Sequence, residues 1–269
     1  MIIIPKYLYK YRVWENKRHE AIITDNEIYF ASSAQFNDPF DCKIPMRFDR
    51  LTRTERLKYI LEFGRASFPN LDEEELWKVS KRLADNPTHQ GKNLLNDASK
   101  AQNKVIENNF GIFSLTSDPK NILMWSHYAE SHTGFCVCFD IVNLLQFFQQ
   151  KEVTTNALIE LHKVRYKNEY PSLLPSDDNK GKNLLQIMLT KSQLWSYENE
   201  YRIIIGGATR ITVTIPSEFI NCVILGCKIS DSSRNEILHI LKTKKNRVTL
   251  CQAKMNELDF RLSLEEIDY

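Results

Sequence analysis

The chain has 269 residues, and its 36 lysines and arginines nearly balance 34 aspartates and glutamates, leaving a formal net charge of +2. This length can bury a sizeable core as one large domain or two small ones. The balanced charge disfavours an electrostatic nucleic-acid binder without excluding one. No apolar run reaches the roughly 18 residues of a membrane span, so we expect no membrane partner.

The six cysteines lie mostly within apolar, strand-like runs, and no Cys-x-x-Cys pair is present. A chain of this size does not need disulfides to fold, so they are expected to be reduced core thiols. The first residues, MIIIPKYLYKYR, lack the charged, apolar and cleavage regions of a signal peptide. Together these features predict a cytoplasmic location.

The N-terminal part is predicted to alternate strands and a helix before a polar loop. The elements are a strand at Leu8–Arg12, a helix at Asn16–Thr24 and a strand at Glu27–Ala31. Asn37 and Asp38 follow in the loop, where Asp38-Pro39 requires an extended or turn geometry. Phe36 and Phe40 flank this turn and are expected to anchor it to the core. A plain turn is the simpler interpretation of the loop.

Residues 50–109 are charged, with apolar side chains at helical spacing. The predicted helices are Arg53–Phe63, Asp72–Ala84 and Gly91–Asn109. The region reads as a helical insertion between β-rich parts, either a lid or a specificity element, and its charges are most simply solvated faces.

A polar connector between two apolar runs is the first candidate site. Gly111–Leu115 and Gly134–Phe139 are predicted strands, and the segment between them is rich in hydroxyl, imidazole and aromatic side chains. Such residues on loops of a strand scaffold are typical of binding sites. The alternative is that Trp125 and Tyr128 belong to the core and the histidines are capped or satisfied.

The remaining elements complete an α+β pattern. They are helices at Val142–Gln150, Leu184–Leu194 and Asp231–Thr243, and strands at Glu160–Tyr166, Ile203–Ile205, Ile211–Ile215, Ile220–Leu225, Arg247–Gln252 and Asp259–Leu264. We therefore expect one domain over residues 1–269, with a mixed or antiparallel sheet, the helical insertion at 50–109 and a C-terminal αβ tail.

Two charged patterns are further candidates. If Glu198–Arg202 is extended, Glu198, Glu200 and Arg202 share one face of a strand, where buried carboxylates need partners or a cleft. Pairing of Glu200 and Arg202 with sheet neighbours is the simpler interpretation. Tyr9–Arg12 mixes rings with cations, which suits an anionic ligand bearing a planar base, but a basic edge strand would look the same.

A metal site is not expected. His127 and His132 stand five residues apart, a poor spacing on a helix, and no third ligand is evident. Cys136 and Cys138 lack an obvious base partner, so a cysteine nucleophile is disfavoured.

Several motifs in order resemble one bacterial family. LYKYR, IYFASSAQFNDPFD, LMWSHYAESHTGFCVCFD and LTKSQLWSYENEYRI closely resemble the family known as domain of unknown function 2971, over most of the chain from Leu8 to about Ile205. That family name implies no activity.

The layout also resembles, more distantly, the ADP-ribosyltransferase superfamily, which implies an NAD-consuming enzyme. By position, Tyr11 or Arg12 would contact NAD, Ser114 or Thr116 would supply the middle motif, and Glu200 would be catalytic. The remaining roles implied are Tyr128 near the nicotinamide, the Asn37–Phe40 loop shaping the pocket, and Glu198 orienting the acceptor as in a Glu-x-Glu signature. Trp125 and His127 join them as candidate NAD-binding residues. The middle motif matches only loosely.

Three functions remain open. The first is an NAD-dependent transferase or glycohydrolase, a candidate toxin or phage-defence effector with a macromolecular acceptor. The second is a non-catalytic module for a nucleotide or another small anion, with Glu200 held by Arg12 or Arg202. The third is an RNA-acting nuclease that uses His127 and His132 as acid and base.

Overall fold

The computed structural model describes residues 4–45, 50–85, 89–150, 159–171, 173 and 180–269, with the backbone alone for 89–98 and 180. Its strands are β1 (Tyr7–Arg12), β2 (Glu27–Phe30), β3 (Phe110–Thr116), β4 (Phe135–Asp140), β5 (Ile159–Lys163), β6 (Arg165–Lys167), β7 (Thr190–Ser192), β8 (Glu200–Gly206), β9 (Ile211–Thr214), β10 (Ile220–Leu225), β11 (Thr249–Met255) and β12 (Leu262–Glu266). The helices are α1 (Lys17–Thr24), α2 (Arg53–Ser67), α3 (Glu73–Asp85), α4 (His89–Asn109), α5 (Ile122–Tyr128), α6 (Ile141–Gln150), α7 (Lys180–Met188) and α8 (Asp231–Thr243).

An eight-stranded sheet organises the molecule, in the order β12-β11-β10-β4-β1-β3-β8-β5. Its pairs are antiparallel except β10 with β11, which are parallel and are connected along the chain through α8. The sheet is therefore mixed, and the α+β fold class predicted from the sequence is confirmed. The C-terminal strands are not an appendage, because β10, β11 and β12 form one side of this sheet.

The largest apolar cluster covers one face of the sheet. Side chains of α1, α6 and α8 pack there, together with the separate two-stranded sheet β2-β9. The opposite face carries two smaller clusters, one around α7 and one around α5. Within the described residues, no helix has the length and apolarity needed to cross a membrane.

The helical region enters the sheet directly, since α4 ends where β3 begins. Thr52 caps α2 through a reciprocal capping box with Glu55, which satisfies exposed backbone donors of the first turn. Residues 86–88 of the predicted insertion lie outside the described part. At its other end, Ser32 Oγ donates to the Glu107 carbonyl over 2.7 Å, tying α4 to the segment after β2.

The sheet parts between β1 and β3. All six residues of β1 pair with β4, but only Tyr9 pairs with β3, opposite Thr116. Four residues before Thr116 in β3, Ile112 exchanges both backbone hydrogen bonds with Ala31 instead of with β1. Because β3 changes partner at this point, a gap opens beside the second half of β1.

Three local predictions need correction. The connector expected to be a loop contains α5, which Asn121 caps by accepting from the backbone of Leu123 and Met124. The helix expected at Leu184–Leu194 already ends at Met188, and β7 and a 3₁₀ segment at Gln193–Glu198 follow it. The strand expected at Glu160–Tyr166 is divided into β5 and β6, which join different sheets.

Candidate active site

The gap between β1 and β3 opens into a cleft of about 490 Å³. Side chains from both faces of β1 reach it, because the missing strand pairing leaves that edge open. The walls come from β1, β3, the start of β8, α5 and the segment after β2. The lining residues used below are Tyr9, Lys10, Tyr11, Arg12, His19, Tyr29, Phe36, Asn37, Asp41, Ser114, Thr116, His127, Tyr128, Lys191, Glu198 and Glu200.

One end of the cleft is lined by the cations Arg12 and Lys10, and Lys10 also interacts electrostatically with Glu198 and Glu200. No described residue forms a hydrogen bond or ion pair with the guanidinium of Arg12, and burial lowers its pKa to about 10. Lys10 Nζ donates to the Ser114 carbonyl over 2.5 Å, and burial with the nearby Arg12 lowers its pKa. His19 Nδ1 is buried without a hydrogen-bond partner. Cations placed in this way suit a negatively charged group.

The other end contains two carboxylates. Glu198 Oε1 accepts from the Tyr128 hydroxyl over 2.6 Å and its Oε2 accepts from Lys191 Nζ over 2.5 Å. Glu200 is held in a bidentate pair by Arg202, with Nε–Oε1 at 2.8 Å and Nη2–Oε2 at 2.9 Å. Both carboxylates line the cleft.

Arg202 is the centre of this network and is fully buried. Besides Glu200 it pairs with both oxygens of Asp41, at 3.0 and 2.6 Å, and donates to the Met188 carbonyl over 2.6 Å. The carboxylates of Asp41, Glu198 and Glu200 form ion pairs with two cations, Arg202 and Lys191. When all five groups are ionised, the cluster has a formal charge of −1. The pairing of Glu200 and Arg202 with neighbours, expected as the simpler interpretation, is present.

The environments of the two glutamates push their pKa values apart. Burial raises the pKa of Glu198, and the adjacent Glu200 adds to this, although Lys191 opposes it. Burial acts the same way on Glu200, but Arg202 and Lys191 outweigh it and hold its pKa below the ordinary value. Two neighbouring carboxyl groups whose pKa values are shifted in opposite directions can act as an acid and a base at one site.

A turn rather than a strand brings the glutamates together. Glu198 ends the 3₁₀ segment, and Asn199 then adopts a left-handed conformation with φ of 45° before β8 begins at Glu200. The expectation that Glu198, Glu200 and Arg202 share one face by strand periodicity is therefore wrong for Glu198. Glu198 reaches the same cluster through the turn.

Aromatic and polar side chains close the cleft. Tyr128 receives a 3.5 Å hydrogen bond from Asn37 Nδ2, and its pKa is raised by burial and by Glu198. His127 Nδ1 is 2.9 Å from the Tyr197 hydroxyl. The Tyr11 hydroxyl donates to the Asp118 carbonyl over 2.8 Å, which fixes its ring at the wall.

Most predicted site residues meet in this cleft. They are Tyr11, Arg12, Asn37, Ser114, Thr116, His127, Tyr128, Glu198 and Glu200. Two lie elsewhere. Trp125 is fully buried, donates to the Pro119 carbonyl and packs edge-on against Tyr11, which is the core placement considered as the alternative. Asp38 lines a second cavity.

Sequence reasoning missed three charged residues of the site, namely His19, Asp41 and Lys191. His19 and Lys191 lie within the predicted helices Asn16–Thr24 and Leu184–Leu194, and Asp41 is the last residue of the motif IYFASSAQFNDPFD. Asp41 offers the one available signal, because it stands between Phe40 and Cys42 and a charge in such a run is rarely buried without a partner, whereas Lys191 is flanked by Thr190 and Ser192.

The two histidines of the nuclease hypothesis line different cavities. His127 lines the cleft, whereas His132 lies in another cavity and contacts Ser126 Oγ at 3.2 Å. The structure therefore does not bring these two imidazoles into one cavity. Among the described residues, no group of three or more His, Cys, Asp or Glu side chains is placed to hold a metal ion.

Comparison with known families adds one finding. Residues 124–203 match the model of a family described as protein of unknown function (DUF2971). The match supports the family resemblance seen in the sequence. The matched segment contains Glu198 and Glu200 of the cleft, while Arg12 and Asp41 lie outside it. No curated protein and no solved structure gives a significant match to the chain.

Proposed function

We propose that the protein is an NAD-consuming enzyme, either an ADP-ribosyltransferase or an NAD glycohydrolase. One observation carries the proposal. The guanidinium of Arg12, which has no partner among the described residues, and a carboxylate pair with divergent pKa values line the same cleft. A dinucleotide offers a pyrophosphate for the first group and a glycosidic bond for the second.

In this proposal the pyrophosphate lies toward Arg12 and Lys10, and the nicotinamide riboside toward the glutamates. Heterolysis sends the glycosidic electron pair to nicotinamide and leaves an oxocarbenium ion on the ribose. Glu200, kept ionised by Arg202 and Lys191, stabilises that positive charge. Glu198, with its raised pKa, orients the nucleophile and accepts its proton. Water as nucleophile gives ADP-ribose, and an acceptor side chain gives an ADP-ribosylated product.

The aromatic walls suit the flat rings of the substrate. Tyr9, Tyr11, Tyr29, Phe36 and Tyr128 line the cleft, and rings of this kind stack on a nicotinamide or an adenine. Consumption of cytoplasmic NAD would suit a toxin or a phage-defence effector, which is the wider role we propose.

The test is release of nicotinamide from NAD by the purified chain. We expect release by the wild type and a loss of at least a hundredfold in a folded Glu200→Gln variant, since electrostatic stabilisation of developing charge is typically worth about 10²–10³ in rate. Glu265→Gln, an exposed carboxylate on β12, is the matched control and should retain activity. Absence of both release and NAD binding would reject the proposal.

A second candidate function is a non-catalytic nucleotide-binding module. The observation that favours it is the bidentate pair in which Arg202 occupies both oxygens of Glu200, because such a carboxylate is fixed as part of the structure. This function predicts that NAD or ADP-ribose binds and that Arg12→Gln weakens binding. It also predicts that no nicotinamide is released, even with candidate acceptors present.

A further inference from the structure

A second cavity, of about 470 Å³, lies behind the charged cluster. Asp41 and Lys191 line both this cavity and the cleft, so the two spaces share a wall. The lining residues used below are Asp38, Phe40, Asp41, Ile44, Lys167, Glu169, Tyr170 and Lys191. None of the functions considered above uses this space.

Asp38 lines this cavity and carries a carboxylate that is only partly compensated. The residue is only 4% exposed. Its Oδ1 accepts from the backbone N–H of Phe40 over 2.9 Å, but among the described residues its buried Oδ2 has no hydrogen-bond partner. Leaving a buried carboxylate oxygen unpaired is costly, and such a group in a folded protein needs an explanation.

The other buried charges of the wall are already paired. Asp41 is held by Arg202, and Lys191 is 2.5 Å from Glu198. Lys167 and Glu169 are exposed and of opposite sign. The charge that remains for a ligand to compensate is therefore the negative charge of Asp38.

Two exposed rings line the same cavity as this carboxylate. Phe40 is 62% and Tyr170 is 45% exposed, and both line the cavity. Phe40 was expected to anchor its loop to the core, and that expectation is wrong. Only Phe36 packs against the core. Aromatic faces beside an anion are the recognised environment of an organic cation.

We infer that this cavity binds an alkylguanidinium or alkylammonium group. The cation pairs with the carboxylate of Asp38, and its aliphatic part contacts Phe40, Tyr170 and Ile44. One carboxylate with two rings does not suit Ca²⁺ or Mg²⁺, which require several oxygen ligands. This inference concerns a separate space and does not depend on the proposed function of the cleft.

Titration calorimetry with 1-butylguanidinium tests the inference, with 1-butylurea as the uncharged probe of the same shape. We expect the cation to bind and the urea not to bind. Asp38→Asn should weaken the cation at least tenfold, because the amide retains an acceptor for the Phe40 N–H but removes the charge. Equal binding of both probes, or no binding of the cation, would overturn the inference.

Asp118→Asn is the matched control. Asp118 also precedes a proline, and its Oδ1 accepts from the backbone N–H two residues later over 2.9 Å, but it does not line this cavity. It should leave binding unchanged. If Asp38→Asn fails to fold, Tyr170→Ala replaces it, since this ring is half exposed, and it should also weaken the cation severalfold. Unchanged binding in the folded variants would reject the site.

Discussion

At the scale of single residues, Arg12 and Arg202 show how differently two arginines of one sheet are used. Arg202 is fully buried and makes ion pairs with Glu200 and Asp41. Arg12 has no partner among the described residues and faces a cleft. A paired buried arginine compensates the charges of its neighbours, whereas an unpaired arginine in a cleft is available to a ligand.

The same substitution at both positions tests this contrast. Arg202→Met removes the bidentate partner of two buried carboxylates and leaves them only Lys191, at 3.5 and 3.7 Å, so we expect it to lower the free energy of unfolding by about 3–5 kcal/mol. Arg12→Met removes a poorly solvated charge and strands no partner, so it should leave stability unchanged or raise it. Urea denaturation at pH 7 measures both. Equal losses would show that Arg12 has a structural partner.

His19 should report on an anion in the cleft. Burial, with Arg12 and Lys10 nearby, lowers its pKa to about 4 from an ordinary 6.5. A bound pyrophosphate group favours the imidazolium, so ADP-ribose should raise the pKa of His19, and by linkage ADP-ribose should bind more tightly as the pH falls from 6.5 toward 4.

Imidazole NMR signals followed through a pH titration, with and without ADP-ribose, measure this shift. The Arg12→Met variant should abolish the rise by weakening the ligand. A pKa of His19 that ADP-ribose leaves unchanged at saturation would place the pyrophosphate elsewhere.

At the scale of elements, the turn before β8 sets the geometry of the carboxylate pair. Asn199 is exposed and left-handed, a conformation that asparagine and glycine tolerate best. Asn199→Ala should lower the free energy of unfolding by about 1–2 kcal/mol, while Asn199→Gly should cost less. In the alanine variant we also expect slower nicotinamide release, because the displaced turn moves Glu198. Identical stability of the two variants in urea would contradict this account.

Local elements could be predicted where periodicity and caps agree. The helix predicted at Asp231–Thr243 and the strand predicted at Ile220–Leu225 are both observed with their predicted bounds. The helix predicted through Leu194 failed because β7 has only three residues, too few to show a strand period. Short elements that depend on a distant partner leave little trace in sequence.

The cleft itself could not be predicted from the sequence, although most of its residues were. It exists because β3 pairs with β1 at Tyr9 alone and then with Ala31. Such a change of partner is set by long-range register, and nothing in Tyr9–Arg12 or Gly111–Leu115 encodes it. Likewise, no local pattern in the sequence indicates that Lys191 and Asp41 lie close to Glu200. Only the fold brings these three residues together.

At the scale of the whole molecule, the main sheet consists of two halves. β1, β4, β10, β11 and β12 form one half, and β3, β8 and β5 form the other, with a single residue pair between them. The large apolar cluster spans both halves on one face. On the cleft side, a ligand reaching from Arg12 to Glu200 would add contacts that the strand ladder lacks.

Ligand binding should therefore stabilise the whole fold and not only the cleft walls. ADP-ribose at a hundredfold excess over its dissociation constant should raise the free energy of unfolding by about 2.7 kcal/mol. Because the ligand bridges both halves, backbone amides of β1 and of β8 should gain protection from hydrogen exchange together. Arg12→Met should lose both effects, whereas Asp38→Asn, which alters the other cavity, should keep them. Protection confined to one half would mean that the ligand contacts only one side of the gap, and the bridging arrangement would then be wrong.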